Sequence, residues 1–495
     1  MNYAELFKQV VPETIVAVAA FVVLLVDLAW MRQKATASRM TVAALLAGLG
    51  CVAAFAWMLE AVPGGTFCEG ILVVDPLTQL IKQVLLVLTV FTAVISVEAD
   101  FTEHVGEFFA LLLLATVAMM FLVSSEDLLM IFLTLEMTSL CLYALTAFNK
   151  QNPQSAEAAL KYFLFGGMAA AVMLFGLSLI YGLAGSTNLR EIAAHLKGRR
   201  LEPVFYLALV MSVVGLGFKI AAVPFHLWAP DAYQGAPTPV AAFIASGSKV
   251  AGFFVLAKLM VVSFASTGGS GSWRHFVPGW VPLLAVMAAL SMLLGNLAAI
   301  VQKGVRRLLA YSAIAQAGYI LVGLTANNEQ GVASLLYYAV TYSLTLVGAF
   351  GIVAVVQEQT GHDELSAFAG LSKRAPMMAL CLLVFILSLA GIPPLAGFFG
   401  KFYVFTAAVN SDPKNLGLLW LVISAVAMSA VSLYYYLQVL KQAYVAEVPA
   451  DAAGLRFSPA TQGAVVVLAG AVVVLGCAPD LLLHKLLAVL KSAGM

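Results

Sequence analysis

Hydrophobic residues run through this chain in blocks of about 17–30, the length a helix needs to cross the hydrocarbon core of a bilayer, with short polar or Gly/Pro-rich stretches between them. Fourteen spans fit the pattern, near residues 12–31, 40–60, 76–98, 107–124, 127–148, 158–182, 204–228, 238–263, 280–302, 306–325, 331–357, 376–407, 416–441 and 460–478. The fourth and fifth are separated only by Ser124, Ser125, Glu126 and Asp127. After Pro479 the tail D-L-L-L-H-K-L-L-A-V-L-K has the alternation of a short amphipathic helix lying on a surface. The expected fold is therefore an all-α polytopic membrane protein.

Two spans break this pattern. Between Val223 and Val250 the chain places Pro224, His226, Pro230, Asp231, Pro237, Pro239 and Lys249 among apolar residues, with Lys219 just before. A proline within a helix removes a donor and frees the carbonyl four residues earlier, here that of Ile220. In hydrocarbon, such a carbonyl is tolerated only where protein groups or water take it up. The second break reads S-L-A-G-I-P-P-L-A-G-F-F-G-K from Ser388 to Lys401, where Pro393 and Pro394 free the carbonyls of Leu389 and Ala390. If each break lies in the fourth helix of a five-helix unit, the chain divides into an N-terminal three-helix segment (1–106), a first repeat (107–263), a second, inverted repeat (280–441) and a C-terminal helix with its tail (442–495). Paired interrupted helices in matching positions point to a transporter's ion site near the midplane.

Composition agrees: 62% of the 495 residues are hydrophobic and only 10% charged, far from globular averages. A net charge of +1 without a basic tail gives no case for nucleic acid or an acidic partner. Cys51, Cys68, Cys141, Cys381 and Cys477 are scattered, so they read as buried small hydrophobes rather than metal or iron–sulfur ligands. The first apolar run is long enough to span and carries Asp27 near its end, unlike a cleavable signal peptide. Placing the loop with Arg32, Lys34 and Arg39 in the cytoplasm puts 11 basic loop residues inside and 9 outside, with both termini outside. Four of the opposing nine fall in the loop from Asn188 to Glu202, which reads as a short surface helix.

The remaining basic residues are six lysines within spans, at 82, 161, 219, 249, 258 and 401. A lysine at mid-bilayer costs about 2.5–3.5 kcal/mol on insertion scales, so each needs a reason. Lys82 and Lys258 lie close enough to span ends to snorkel. The other four sit deeper with polar companions. Glu136, the one carboxylate near the centre of a span, shares a helix face with Ser139 and Tyr143. Lys219 and His226 are two helical turns apart, roughly 10 Å along the axis. Buried ion pairs that merely fix helix packing are the plain alternative, but four lysines against one carboxylate leave charge that pairing cannot satisfy.

The runs P-F-H-L-W-A-P-D-A-Y-Q-G-A-P-T-P-V and S-G-S-K-V-A-G-F, with R-R-L-L-A-Y-S-A-I-A-Q-A-G-Y and the second break, resemble the subunit N family among the antiporter-like membrane subunits of bacterial NADH-quinone oxidoreductase, respiratory complex I. The resemblance covers essentially the whole chain. It implies that Glu136 and Lys219 form the ion pair of a first half-channel, with Lys161 and His226 as accessory groups. Lys249 becomes the central proton-carrying lysine and Lys401 that of a second half-channel. Gln316 stands where the family often has histidine and cannot titrate near neutral pH, so the Lys249–Lys401 link is expected to run through water, Gln316 or hydroxyls such as Tyr311. The resemblance further implies a subunit of a proton-translocating NADH:quinone oxidoreductase in the bacterial inner membrane, with sister antiporter-like subunits as partners. This chain would hold no cofactor, metal or redox centre; FMN and iron–sulfur clusters would belong to partner subunits. A cation/proton antiporter subunit would share the breaks and lysines, and a non-pumping scaffold only the fold.

Overall fold

The computed structural model describes residues 7–60, 64–198, 202–448 and 454–494. Among them, 13 helices are long and apolar enough to cross a membrane. The first six are Val11–Met31, Thr36–Trp57, Pro76–Ser96, Val105–Ser124, Leu128–Thr146 and Pro153–Ala184. The seventh, Pro203–Ile220, unwinds and resumes as Trp228–Gly235. The eighth to eleventh are Thr238–Ser263, Trp280–Ile300, Val305–Thr325 and Glu329–Thr360. The twelfth crossing is built from Pro376–Ala390 and Ala396–Asn410, followed by Leu419–Tyr444 and Pro459–Cys477. Fourteen crossings thus stand where the hydrophobic blocks place them. Two short antiparallel ladders, Gly65–Phe67 with Leu72–Val74 and Ser270–Gly271 with Phe276–Val277, lie in loops and leave the fold all-α.

Local chemistry sets the boundaries. Asp75 accepts from Thr78 N at 2.7 Å, Asp127 from Met130 N at 3.0 Å and Asn328 from Gly331 N at 2.7 Å, each satisfying an orphan donor at a helix start. Pro76, Pro153 and Pro459 occupy first positions, where a missing N–H costs nothing. At the other end, Gly185 (φ 73°) and Gly361 (φ 80°) close the two longest spans in left-handed conformation.

Burial sorts the spans into a centre and a rim. Every residue of the best apolar window in the eighth span is buried, as are 94% of those in the tenth and eleventh, against 22% in the first. The tenth is nonetheless among the least apolar of the thirteen. Its polar positions therefore face protein, which is where an intramembrane polar group is affordable.

Several expectations are corrected here. The seventh span ends at Ile220, where Ala221 takes a left-handed conformation (φ 57°) and Ala222 N bonds to Gly217 O at 2.9 Å. His226 is consequently off the helix, and its two-turn spacing from Lys219 does not hold. The Trp228 indole donates at 2.9 Å to the Phe218 carbonyl, which also accepts from Ala221 N at 3.0 Å. Lys82 and Lys258 do not snorkel, since each is only 2% exposed. Lys82 meets Glu13 of the first span at 2.6 Å, and Lys258 donates to Val123 O at 3.3 Å with Glu126 3.8 Å away. All five cysteines are free, but only Cys51, Cys141 and Cys381 are buried, and Cys477 is exposed.

The loop after the sixth span does form a short helix, Leu189–Leu196, capped by Asn188. Arg199 and Arg200, counted in the charge balance, lie outside the described residues. The tail folds as Asp480–Ala493 with Leu486 and Leu490 turned inward. The eighth span carries a break that its sequence does not announce. At Ser246 (φ −117°, ψ −81°) it divides into Thr238–Ala245 and Gly247–Lys258.

Candidate functional site

At the first break, Lys219 sits at the last turn of the seventh span, only 6% exposed, and reaches the Ser139 hydroxyl of the fifth span. Ser139 Oγ lies 3.5 Å from Glu136 Oε1 and 2.5 Å from Leu135 O. Among the described residues, Glu136 and Lys219 make no direct ion pair, and the serine stands between them. The helix-face reading of Glu136 and Ser139 holds, and Tyr143 puts its ring 5.8 Å from the Lys219 ammonium. Trp228 stacks on Tyr162 (4.1 Å between ring centres, 3° between planes), closing this pocket beside the unwound segment. His226 is half-buried there, and its Nδ1 has no hydrogen-bond partner.

Lys161 is not one of the deep, unpaired lysines. Its side chain is 40% exposed and pairs with Glu157 at 2.7 Å and Asp231 at 2.9 Å. Asp231, on the resumed half of the seventh span, uses its other oxygen to hold Arg307 of the tenth span at 2.7 Å. One carboxylate thus ties Lys161 of the sixth span to Arg307 of the tenth, beside a polar cavity of ≈ 200 Å³. Tyr311 lies under Arg307, 5.8 Å from guanidinium to ring.

Lys249 lies on the first turn after the break at Ser246 and is 1% exposed. Hydroxyls take up backbone carbonyls around that break: Ser246 Oγ bonds to Ala242 O at 2.7 Å, Ser248 Oγ to Ile244 O at 2.9 Å and Ser343 Oγ to Ser246 O at 3.3 Å. The Lys249 ammonium donates to Ala313 O of the tenth span at 2.7 Å. Beside it, 5.8 Å from ammonium to ring centre, lies Tyr342, whose buried hydroxyl has no protein partner.

From the neighbouring Ser312 a continuous hydrogen-bonded chain crosses to the second break. Ser312 Oγ contacts Tyr436 OH, and Tyr436 OH accepts from Gln316 Nε2 at 3.1 Å. Gln316 Nε2 also donates to Leu389 O at 2.9 Å, while its oxygen accepts from Tyr338 OH. Leu389 O in turn accepts from Lys401 Nζ at 3.2 Å. The remaining Lys401 bonds go to Ala390 O at 3.1 Å and Ser429 Oγ at 2.8 Å. The two carbonyls freed by Pro393 and Pro394 are thus the ones that hold Lys401. Gly391 (φ 85°) ends the helix ahead of the prolines, and Lys401 packs against it.

The sequence reading names Glu136, Lys219, Lys249, Gln316 and Lys401, but not Tyr338, Tyr436, Ser429 and Arg307, which the structure places in the same hydrogen-bonded and ion-paired networks. Tyr434, Tyr435 and Tyr436 lie unmarked within the hydrophobic block 416–441. The available signal was the density of hydroxyls in spans that must be buried. No group of three or more His, Cys, Asp or Glu able to hold a metal occurs among the described residues.

Residues 125–428 match the family described as NADH:quinone oxidoreductase/Mrp antiporter, transmembrane. A similar protein, the NADH-quinone oxidoreductase subunit N 2 of Acidobacterium capsulatum, is 50% identical over 495 residues, covering 98% of this chain and 99% of that one. Among solved structures, a chain of respiratory complex I from Thermus thermophilus with bound aureothin is 34% identical, with a TM-score of 0.77 over 96% of this chain and 99% of that one. A chain of the Mrp complex from Dietzia sp. reaches a TM-score of 0.82 over 99% and 98% at 20% identity, a likeness of fold alone. With identity of this order along its whole length, the chain belongs to the NADH:quinone oxidoreductase/Mrp antiporter transmembrane family, in its subunit N branch.

Proposed function

We propose that this chain is the proton-translocating membrane subunit of an NADH-quinone oxidoreductase, moving protons through two half-channels that meet near Lys249. Spans four to eight (107–263) and nine to thirteen (280–441) act as inverted repeats, with 1–106 and 442–495 as flanking segments. The observation that carries this reading is the polar chain from Ser312 through Tyr436, Gln316 and the Leu389 carbonyl to Lys401, which starts one residue from the carbonyl holding Lys249. A peptide carbonyl cannot itself relay a proton, so both the step from Lys249 onto this chain and the step past the Leu389 carbonyl to Lys401 run through water. The unpartnered Tyr342 hydroxyl supports the first step, because a buried hydroxyl left unsatisfied costs about 1–3 kcal/mol.

Each residue then has a role. Glu136 and Lys219, linked by Ser139, set the charge of the first half-channel, with His226 beside the unwound segment as an accessory proton group. Moving the carboxylate toward or away from the lysine changes the field felt at Lys249 and drives its proton onward. Lys161, Asp231 and Arg307 hold the two halves in register, and Lys401 passes the proton out of the second half. NADH oxidation, flavin and iron–sulfur chemistry belong to partner subunits, and sister antiporter-like subunits lie alongside. The location is the bacterial inner membrane with both termini on the outer side.

The test is Lys219→Ala in the assembled complex, reconstituted in liposomes. Flavin and iron–sulfur absorbance should co-purify with the variant as with the parent, while proton pumping falls several-fold or is lost. Pumping at the parental level refutes the reading. A chain that purifies without those chromophores but exchanges cations for protons belongs to an antiporter instead.

A further inference from the structure

Most of the lysines within spans have a carboxylate to answer them. Lys82, Lys161 and Lys258 each meet one within 3.8 Å, and Lys219 reaches Glu136 through Ser139. Lys249 and Lys401 meet none among the described residues. Their ammonium groups bond to backbone carbonyls and, for Lys401, to the Ser429 hydroxyl. What Lys401 has besides is a ring. Its Nζ lies 4.8 Å from the centre of Tyr319, closer than any other lysine–ring approach among the described residues; Lys219, Lys249 and Lys258 stand at 5.8 Å. A cation over an aromatic face is attracted by the ring's quadrupole, most strongly where water is excluded. Tyr319 is fully buried and Lys401 nearly so. The ring is also braced. Tyr319 OH accepts from Asn296 Nδ2 of the ninth span at 3.0 Å. That amide is fixed in turn, donating to Met292 O at 2.7 Å and accepting from Tyr435 OH of the thirteenth span at 2.9 Å. Phe405, one turn beyond Lys401, packs edge-on against the ring at 6.4 Å. Tyr319 follows Gln316 by three residues, so one face of the tenth span carries both the amide bonded to Leu389 O and the ring against Lys401. All of these contacts lie inside this chain.

We propose that Tyr319 is a positioning residue that takes the place of a counter-ion at Lys401, its ring held by Asn296 and Tyr435. The inference rests on the proton-path reading above and deepens it. The two breaks differ in what answers their lysine. At the first, Glu136 is itself a base and competes for the proton it attracts. At the second, the ring face offers negative potential without a basic atom, so it stabilises the ammonium and cannot take its proton. A desolvated contact of this kind is worth roughly thirtyfold in the balance between ammonium and amine. Tyr342 beside Lys249 has no such brace, since its ring is at 5.8 Å and its hydroxyl has no protein partner. The Tyr319 contact therefore draws a proton arriving at Lys249 along the chain toward Lys401.

The test uses the intact complex in proteoliposomes, with NADH-driven acidification measured per flavin. Position 319 is replaced by phenylalanine and then by its mono-, di- and trifluorinated forms, introduced at an amber codon. Each fluorine weakens the negative face of the ring with little change in its volume, so a packing role alone would not follow the series. Tyr319→Phe should keep about half of the parental rate or more, and Tyr319→Leu should lose about fivefold or more. The fluorinated rings should fall in steps, the last about threefold or more below phenylalanine. Asn296→Leu, which removes the brace, should slow acidification while Tyr319 is intact. The same fluorinated series at Phe385, a buried ring packed against Gly348, serves as the control and should be flat. Tyr319→Phe as impaired as Tyr319→Leu, a series at 319 that is flat or rises with fluorination, or an equal decline at Phe385 would overturn the inference. Lys401→Ala separates the two levels of the account. If it pumps less than the parent while the series at 319 is flat, only this inference fails; if it pumps as the parent does, the proton-path reading fails and takes the inference with it.

Discussion

Replacing Gln316 with leucine removes the centre of the polar chain while keeping its volume nearly constant. The amide donates to Leu389 O at 2.9 Å and to Tyr436 OH at 3.1 Å, and accepts from Tyr338. In Gln316→Leu the Leu389 carbonyl keeps Lys401 and Tyr436 keeps Ser312, so one buried hydroxyl, that of Tyr338, loses its partner. That costs about 1–3 kcal/mol, a local penalty too small to prevent assembly of a helix bundle of this size. A proton that must now pass the apolar side chain meets a barrier raised by a similar amount. At about 1.36 kcal/mol per tenfold in rate, transfer slows roughly 5- to 150-fold. The assay is NADH-driven quinone reduction with a pH-sensitive dye in sealed proteoliposomes. Gln316→Leu should depress both turnover and acidification, whereas Gln316→His, which restores a group able to donate, accept and titrate, should retain them. Parental turnover and pumping in the leucine variant would remove this route from the account.

Lys82→Met should lower the yield and thermal stability of the purified complex by leaving Glu13 buried alone, a loss of about 3–5 kcal/mol. Glu13→Gln in the same chain should recover most of it; an unaffected single variant would mean the pair is hydrated. Ser139→Ala should reduce turnover about as far as Glu136→Gln, because each cuts the carboxylate–hydroxyl–ammonium link, and Ser139→Thr should keep activity. A fully active alanine variant, measured as NADH-driven acidification, would make the serine a bystander. Asp231→Asn weakens the hold on both Lys161 and Arg307 and should slow turnover several-fold with assembly intact, read as the quinone-reduction rate per flavin; a rate equal to the parent's would make the cluster a surface feature.

What was legible in the sequence depended on local physics. Span lengths follow from bilayer thickness, and caps such as Asp75 and Asp127 from the orphan donors of helix ends, so boundaries fell within a few residues. Pro393 and Pro394 named the carbonyls that receive Lys401 because a proline's effect is fixed at four residues' range. At both breaks, however, the helix ends before its proline is reached, at Ile220 and at Ala390, and at the first the side-chain donor goes to Phe218 O rather than to the Ile220 carbonyl that the rule names. Partners contributed by distant spans were not legible. Lys82 looked like a snorkelling residue because Glu13 is 69 positions away in the sequence, and Lys161 looked unpaired because Asp231 is presented by the resumed half of a broken helix. The break at Ser246 has no proline to mark it; serine hydroxyls and the packing of the eleventh span sustain it. Tyr338 and Tyr436 are told apart from other core aromatics only by what their hydroxyls meet.

The central claim is that protons cross this chain between Lys249 and Lys401. Its most direct test is the ratio of protons moved to NADH oxidised in proteoliposomes holding the complex with Lys401→Ala, matched to the parent in flavin content. The account predicts a complex that assembles fully yet moves fewer protons per NADH, because the ammonium that receives the chain from Gln316 and Leu389 is gone. A ratio identical to the parent's, at equal turnover, would contradict it.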